Sequence, residues 1–442
     1  MKSAKTISLY VTVFLFFLLS ANLKAQDLLT LEEAVSIGLE NNYGIQISRN
    51  LVQQAENNHS VGNAGFLPTI NLSASQVERV EDSDFEAGGE SRSTSGARSG
   101  TTNAAVNLEW TLFDGFRMFA NYDQLGMLRD VSDEELRLDM ETLVTQITLA
   151  YYNVIRINEQ LKILRDNIEV SEERIEIEET KVDLGSGSEY DLLQARSDLN
   201  ADRAALLREQ NRLTEAKITL NELLSRSPEG EYEVTTDIDV NRLLMREELY
   251  QRLMTENTQL AIARMQKDIS SLQIRQLRGE RMPDILLTSG YSYNRSENDG
   301  GFIRFNETTG FNVGITARIN IFNGFNLNRR IQNAQIDRRN AELSYEQQML
   351  RLESDFLAIF RAYQNAIEMV DLEENNLQNA EETLDIALER FRLGSISSLE
   401  FREAQRTFLQ AENRLINAKF EAKVAETELL QISGDFSRIL NY

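Results

Sequence analysis

The segment Val182–Ala195, VDLGSGSEYDLLQA, and its echo Phe391–Ala404, FRLGSISSLEFREA, decide how this chain is read. At an offset of 209 residues (Gly185 to Gly394), Leu184, Gly185, Ser186, Ser188 and Ala195 meet Leu393, Gly394, Ser395, Ser397 and Ala404, while Asp191 meets Glu400. Each copy has Gly where a helix ends and Ser where the next begins. Long helical patterns flank both copies. The natural reading is a tight turn between antiparallel helices, made twice by one duplicated chain.

Outward from these turns the duplication holds. Before the first, Leu143, Ile147, Ala150, Val154, Ile157, Leu161, Leu164 and Ile168 follow 4-3 spacing, continued by Ile175 and Val182. That is a coiled-coil seam. After it, Leu192, Leu199, Leu206, Leu213 and Leu220 recur every seventh residue. The second half repeats this with Leu352, Phe356, Ile359, Tyr363, Ala366, Val370, Leu377, Leu384 and Phe391, then Phe401, Phe408, Leu415, Ala422 and Leu429. Upstream, each half has a helix (31–62 and about 240–278), a proline stop at Pro68 or Pro283, and two short strands. The clearest strands are Ala104–Leu112 and Phe311–Ile321, apolar and polar side chains alternating. Phe113-Asp114-Gly115-Phe116 and Phe322-Asn323-Gly324-Phe325 close them as turns. Residues 78–101 and 294–309 read as polar loops. Thr30 with Glu33 marks a capping box at the first helix. The expected organisation is a signal peptide at 1–25, one repeat at 26–227 and a second at 228–442.

Composition narrows the function. The 442 residues include no Cys and one His, His59, which removes disulfides, thiolate chemistry and histidine-based metal or acid/base centres. With 46 basic against 70 acidic side chains the net charge is −24, which disfavours nucleic acid as a partner. Lys2 and Lys5 precede the apolar run Ile7–Leu19, and Leu23-Lys24-Ala25 offers a cleavage site before Gln26. This is an export signal. No later stretch has the ~20 apolar residues of a spanning helix, so contact with a membrane rests on strands.

Four strands with one apolar face suit a bilayer, but spanning strands must close on themselves. One chain holds half the smallest natural barrel of about eight strands. Copies must therefore pool strands: two would give a side-chain-filled barrel, three a barrel of twelve with room for a channel. The polar strand faces carry Glu109 and Arg318 at equivalent positions, as expected of a lumen, and Trp110 suits a bilayer-interface anchor, as do Tyr291 and Tyr293.

The duplication, the order helix–Pro–strand–loop–strand–F-(D/N)-G and the tip pattern L-G-S-x-S-x-x-(D/E)-x-x-x-A together resemble the TolC family of outer-membrane efflux proteins across the whole mature chain. The resemblance implies a mainly helical fold with membrane β: a homotrimer with one twelve-stranded outer-membrane barrel and a helical tunnel in the periplasm of a Gram-negative cell. A small equatorial region is expected near 228–245 and the C-terminus. It implies as partners a periplasmic adaptor at the tips, docking at Gly185, Ser186, Gly394 and Ser395, and an inner-membrane transporter supplying energy, so conduction here is passive. It places Glu400, Glu403 and Asp191 at a periplasmic aperture, where crowded carboxylates should raise some pKa values and attract cations. Family members also hold the closed tip by polar links; Phe391 and Ile396 stand where such residues would serve, leaving packing to do it here.

Other readings carry less. Gly185-Ser186-Gly187-Ser188 lacks the Lys and strand–helix context of a phosphate loop. Glu81-Asp82-Ser83-Asp84 lacks a complete Ca²⁺ ligand set. No nucleophile–base pair, metal cluster or cofactor motif suggests an enzyme, and His59 reads as a polar helix residue. A periplasmic coiled-coil or adaptor protein without a pore is the alternative, though adaptors carry a lipoyl-like β domain not seen in this sequence.

Overall fold

The computed structural model describes residues 28–435 apart from 88, 301 and 302; the expected signal peptide lies outside the described residues. The chain folds as two units, each assembled from separate stretches of sequence. One comprises the residues up to Ile47, Arg137–Thr258 and those from Leu350 on; the other comprises Ser48–Leu136 and Gln259–Met349.

In chain order the elements are β1 (Leu28–Leu29), α1 (Leu31–Asn41), α2 (Tyr43–Asn58), β2 (Thr69–Ala87), β3 (Glu90–Phe113), α3 (Arg117–Asp183) and α4 (Glu189–Leu223). Then come β4 (Glu233–Val234), α5 (Arg246–Glu256), α6 (Thr258–Gly279), β5 (Asp284–Asn298), β6 (Phe305–Arg318), α7 (Asn326–Arg392) and α8 (Ser398–Ile432). The same helix, hairpin and helix-pair order thus occurs twice. Both α3 and α7 have 67 residues, roughly 100 Å at 1.5 Å per residue. Both α4 and α8 have 35.

Thr30 caps α1 through the expected box, its hydroxyl accepting from Glu33 N at 3.2 Å while the Glu33 carboxylate accepts from Thr30 N at 3.1 Å. The single helix expected over 31–62 is broken at Asn42, and the one expected over 240–278 at Asn257. The cause is the same twice. Each asparagine leaves helical geometry and its Nδ2 donates to a last-turn carbonyl of a return helix, Asn42 to Leu223 at 3.0 Å and Asn257 to Ile432 at 2.9 Å. A side-chain amide replaces a missing helical partner there.

In the first unit, Leu143, Val144, Ile147, Val154, Ile155, Ile157 and Leu161 of α3 are buried. Gly38 of α1 packs so closely that a Cβ would lie 2.2 Å from Ile147 Cδ1. Strands β1 and β4 form a small parallel pair, and the Tyr151 hydroxyl donates to Leu29 O at 2.8 Å beside it.

In the second unit, β2, β3, β5 and β6 form one antiparallel sheet in the order β2-β3-β5-β6, leaving β2 and β6 as its edges. Each hairpin starts directly after Pro68 or Pro283, where a residue without an N–H does no harm to a ladder. The strands run to 19, 24, 15 and 14 residues, longer than the apolar alternation predicts. Much of 78–101 and 294–309, expected as loops, is paired strand. Hydropathy marks only the part of a strand with one apolar face, whereas backbone pairing continues through Ser, Thr and charged residues. The turn after β3 puts Gly115 and Phe116 at φ of 74° and 66°. A Cβ on Gly115 would lie 2.2 Å from Gly279 O, so only glycine fits.

Candidate functional site

The two tips end their incoming helices identically. Gly185 and Gly394 sit at φ of 73° and 68°; Gly185 N donates to Val182 O and Ser186 N to Lys181 O, and Gly394 N donates to Phe391 O and Ser395 N to Arg390 O. These are paired Schellman closures. The Ser186 and Ser395 hydroxyls fold back onto the same helix ends, donating to Lys181 O and Arg390 O. In the first tip Gly187 N also donates to Lys181 O, so its amides face the helix and form no phosphate cradle. Leu184, Tyr190, Leu393 and Leu399 project into solvent, each more than 70 % exposed.

The outgoing helices differ. Ser397 caps α8, accepting from Glu400 N at 3.2 Å, while the Glu400 carboxylate accepts from Ser397 N at 2.8 Å and its hydroxyl at 2.9 Å. Ser188 makes no side-chain cap, and Asp191, in the first turn of α4, closes no box. Glu403 is exposed and ion-paired with Arg406 at 2.9 Å. Within one chain the Glu400 carboxyl is held below its ordinary range, by the Ser397 N–H and then its hydroxyl.

The expectation that packing alone holds the tips is corrected. Arg174 of α3, 3 % exposed, donates to Ser398 Oγ at 3.0 Å and to Asp198 at 2.7 Å. Arg402 of α8 grips Asp202 of α4 with both Nη atoms at 2.9 Å, and Ser171 donates to the same carboxylate at 2.8 Å. Gln405 Nε2 lies 2.9–3.1 Å from Ser171 Oγ, Asn167 O and Asn167 Oδ1. Arg392 reaches Glu173 as well. These links tie the first helix pair to the second through residues that an apolar periodicity overlooks. The signal that could have found them is polar residues at heptad spacing along α3: Gln160, Asn167 and Arg174, with Ser171 and Glu178 beside them.

In the sheet, Glu109 and Arg318 lie on the same polar face but are not brought together. Glu109 pairs across with Thr69 and Thr288, Arg318 with Asp284, two rungs away on a non-adjacent strand. Arg318 borders a cleft of about 770 Å³ with Arg117, Glu280, Asp284 and Phe322. The opposite face is apolar, with Ile70, Leu72, Val106, Leu108, Leu287, Phe311, Val313 and Ile315 in register. Trp110 is on this face at its helix-proximal end, its indole N–H donating to Phe66 O at 2.8 Å. His59 follows α2 and packs against Tyr122, with Nδ1 3.3 Å from Arg129. Asp82 accepts from Ser95 and Gly96, and no metal-holding cluster occurs among the described residues. No helix among them is long and apolar enough to cross a membrane.

A duplicated chain with a four-stranded, one-side-apolar sheet and paired long helices matches a known protein family over residues 34–226 and 249–435, described as outer membrane efflux protein. The chain belongs to the outer membrane efflux protein family. Among its relatives, the outer membrane protein TolC of Vibrio cholerae is 21 % identical over 85 % of this chain and 83 % of its own. The cation efflux system protein CusC of Escherichia coli is 21 % identical over 90 % and 85 %. Crystal structures agree in fold: CusC superimposes with a TM-score of 0.75 at 20 % identity, covering 91 % of this chain and 92 % of its own. VceC of Vibrio cholerae gives 0.74 at 16 %, covering 91 % and 96 %. As a member of this efflux family the protein is a channel-tunnel of the Gram-negative outer membrane, and the family consists of channel proteins rather than enzymes.

Proposed function

We propose that three copies pool their sheets into one twelve-stranded barrel, β6 of each pairing with β2 of the next. The two repeats, 26–227 and 228–442, would supply two strands each. The observation that carries this is the pair of open edges: β2 and β6 expose unpaired backbone, and Leu72, Val313 and Ile315 stand 77, 65 and 69 % exposed on one face. Hydrocarbon tolerates such residues but not an unpaired ladder, and closure supplies the missing hydrogen bonds. Glu109 and Arg318 then face water in the lumen, and Trp110 anchors the lipid boundary.

The long helices α3, α4, α7 and α8 line the periplasmic conduit. A periplasmic adaptor grips the tips around Gly185, Ser186, Gly394 and Ser395, where exposed Leu184 and Leu393 offer apolar contact. An inner-membrane transporter drives export, and substrate passes by passive conduction. Glu400, Glu403 and Asp191 ring the aperture. A carboxylate kept low by its cap, as Glu400 is, stays charged at neutral pH and attracts cations. The Arg174, Arg402 and Gln405 links hold each chain's two helix pairs together there.

The test is single-channel recording on purified protein, with cross-linking to count copies. Trimers that conduct, and whose divalent-cation block disappears while conductance rises in Glu400→Ala/Glu403→Ala, are expected. Ser397→Ala, which removes the cap without removing charge, should keep the block. Non-conducting monomers would overturn the barrel, and an unchanged block in the double variant would overturn the aperture.

A further inference from the structure

The turns after β3 and β6 are built alike, but only one of them is covered. After β3, Gly115 is buried under the second repeat: a Cβ on it would lie 2.8 Å from Met282 Cβ, and Arg117 Nη2 donates to Asp284 at 2.5 Å. After β6, Gly324 has the same left-handed backbone at φ of 66°, and Asn326 Nδ2 donates to Asn323 O as Arg117 Nε does to Asp114 O. Yet Gly324 is exposed, and among the described residues only Asn326 comes within 4 Å of a Cβ placed there. Ile321 is 92 % exposed, and Phe322 and Phe325 are exposed beside the 770 Å³ cleft.

The covering segment also exists twice. At an offset of 215 (Asn42 to Asn257, Pro68 to Pro283), Met282, Asp284 and Leu287 correspond to Leu67, Thr69 and Leu72. Leu67 precedes the edge strand β2 and Leu72 lies in it, and both are exposed. A contact in the first unit shows the same asymmetry. Thr258 of α6 donates to the Glu141 carboxylate of α3 at 2.9 Å, and both are buried. Their counterparts, Tyr43 of α2 and Leu350 of α7, are exposed, and so are Ile47 and Leu357 one or two turns further along. Each surface thus presents apolar side chains where the internal contact has a hydrogen bond. Such patches mark an interface with another chain.

We propose that each chain meets the next copy through a repetition of the contact between its own two repeats, so that β6 lies on β2 of the next copy as β3 lies on β5. The internal pairs Trp110–Leu287, Leu108–Ser289 and Asn107–Gly290 then become Ile319–Leu72, Ala317–Ala74 and Thr316–Ser75 between copies. This register keeps Ala317 and Ala74 on the apolar face and Thr316 and Ser75 on the polar one, which a slip by one residue would not. Leu67 of the next copy covers Gly324, and its Tyr43 lies on Leu350. The inference rests on the barrel reading above, which joins β6 to β2 without fixing their register.

The chain has no Cys, so introduced cysteines report without background. The full-length protein in outer membranes is oxidised with copper phenanthroline as Ala74→Cys/Ala317→Cys and Ser75→Cys/Thr316→Cys, with Ser73→Cys/Thr316→Cys and Val77→Cys/Thr316→Cys as slipped controls. Adjacent rungs alternate in hydrogen bonding, so one matched pair has its Cα atoms ~4.5 Å apart, within disulfide reach, while the slipped pairs stand ~7 Å apart or more. That matched pair should give about tenfold more linked dimer and trimer than either control. A short bismaleimide should likewise link Tyr43→Cys/Leu350→Cys between copies. The reduced variants and the wild type are assayed for trimer and conductance. Trimeric, conducting variants in which a control links as well as both matched pairs, or in which neither matched pair links, overturn this register alone. Failure of the bismaleimide in a conducting trimer overturns the helix contact. Absence of trimer and conductance in the wild type overturns the barrel reading instead.

Discussion

The two helix pairs of one chain make the same turn but bring different side chains to the packing near it. In the first, polar Ser171, Arg174 and Asp202 are buried near the tip beside Leu192, Ala195 and Leu199. At the same offset of 209 (Arg174 to Thr383), Ser171 and Asp202 become Ala380 and Ala411, both buried. The second pair stacks Phe391 on Phe401, centroids 4.9 Å apart at 7°, with Leu384, Ala387, Leu388 and Phe408 and, from the first pair, Val170 and Ile177 around them. The counterparts of Phe391 and Phe401 in the first pair are the smaller Val182 and Leu192. Duplication preserved the backbone turn and let the packing diverge. Both the ion pairs and the rings join the two pairs, but the first pair contributes buried charge to that contact and the second contributes the rings.

The largest test of that difference is Phe391→Ala. The ring is fully buried, and Lys181 of the first pair lies 3.6 Å from its centroid. Loss of a buried ring costs about 4 kcal/mol. Val182→Ala, at a half-buried site, should cost about 1 kcal/mol or less. Denaturant unfolding of the detergent-solubilised protein, with hydrogen exchange at the tips, measures both. Equal costs would mean the tips are not packed differently.

Next comes Arg402→Met. It strands Asp202, 10 % exposed, beside Ser171 without its bidentate partner. Breaking a buried pair costs about 3–5 kcal/mol, which the 21 % exposure of Arg402 reduces to about 2 kcal/mol. Adding Asp202→Leu removes the orphaned charge and should restore most of it. If the double variant is as unstable as the single, the link is not an isolated charge pair but part of a larger unit with Gln405 and Asn167.

The first-order architecture is legible in the sequence because several levels agree. Thr30 and Glu33, Pro68 and Pro283, and Gly185 and Gly394 each require one local conformation, and the structure uses them so. The apolar seam is readable through Leu143, Ile147, Val154, Ile157 and Leu161. Below Leu161 it is not. Ile168, Ile175 and Val182 continue the heptad in sequence, yet Asn167, Ser171, Arg174 and Glu178 take the buried places. Asn167 and Arg174 are buried one residue before Ile168 and Ile175, Ser171 and Glu178 keep the 4-3 spacing but are polar, and burial of polar groups is set by partners far away in the chain, which hydropathy does not encode. Asn42 and Asn257 escape a sequence reading for the same reason, since an asparagine within an amphipathic pattern gains meaning only from the carbonyl it meets.

The finest contrast lies further along both pairs. Glu172 of α3 pairs with Arg203 of α4 at 2.8 Å. The equivalent positions of the second pair hold Glu381 and Glu412, two carboxylates. Burial, then Asp166 and Glu381, push the Glu412 carboxyl up to about 7 against the opposing pull of Lys162. A raised folded-state value means the folded form binds the proton more tightly than the unfolded chain, whose carboxyl titrates near 4.5. The stability it contributes is complete below 4.5 and is lost as pH rises through about 7. Amide protection along α8, that is, exchange relative to the intrinsic rate at each pH, should therefore be higher at mildly acidic than at alkaline pH, with no such trend around Arg203. Glu412→Gln should flatten the pH dependence, and Glu412→Arg should do the same by rebuilding opposite Glu381 the ion pair that the first repeat already has. A pH trend that survives both substitutions would place its origin elsewhere in the second helix pair.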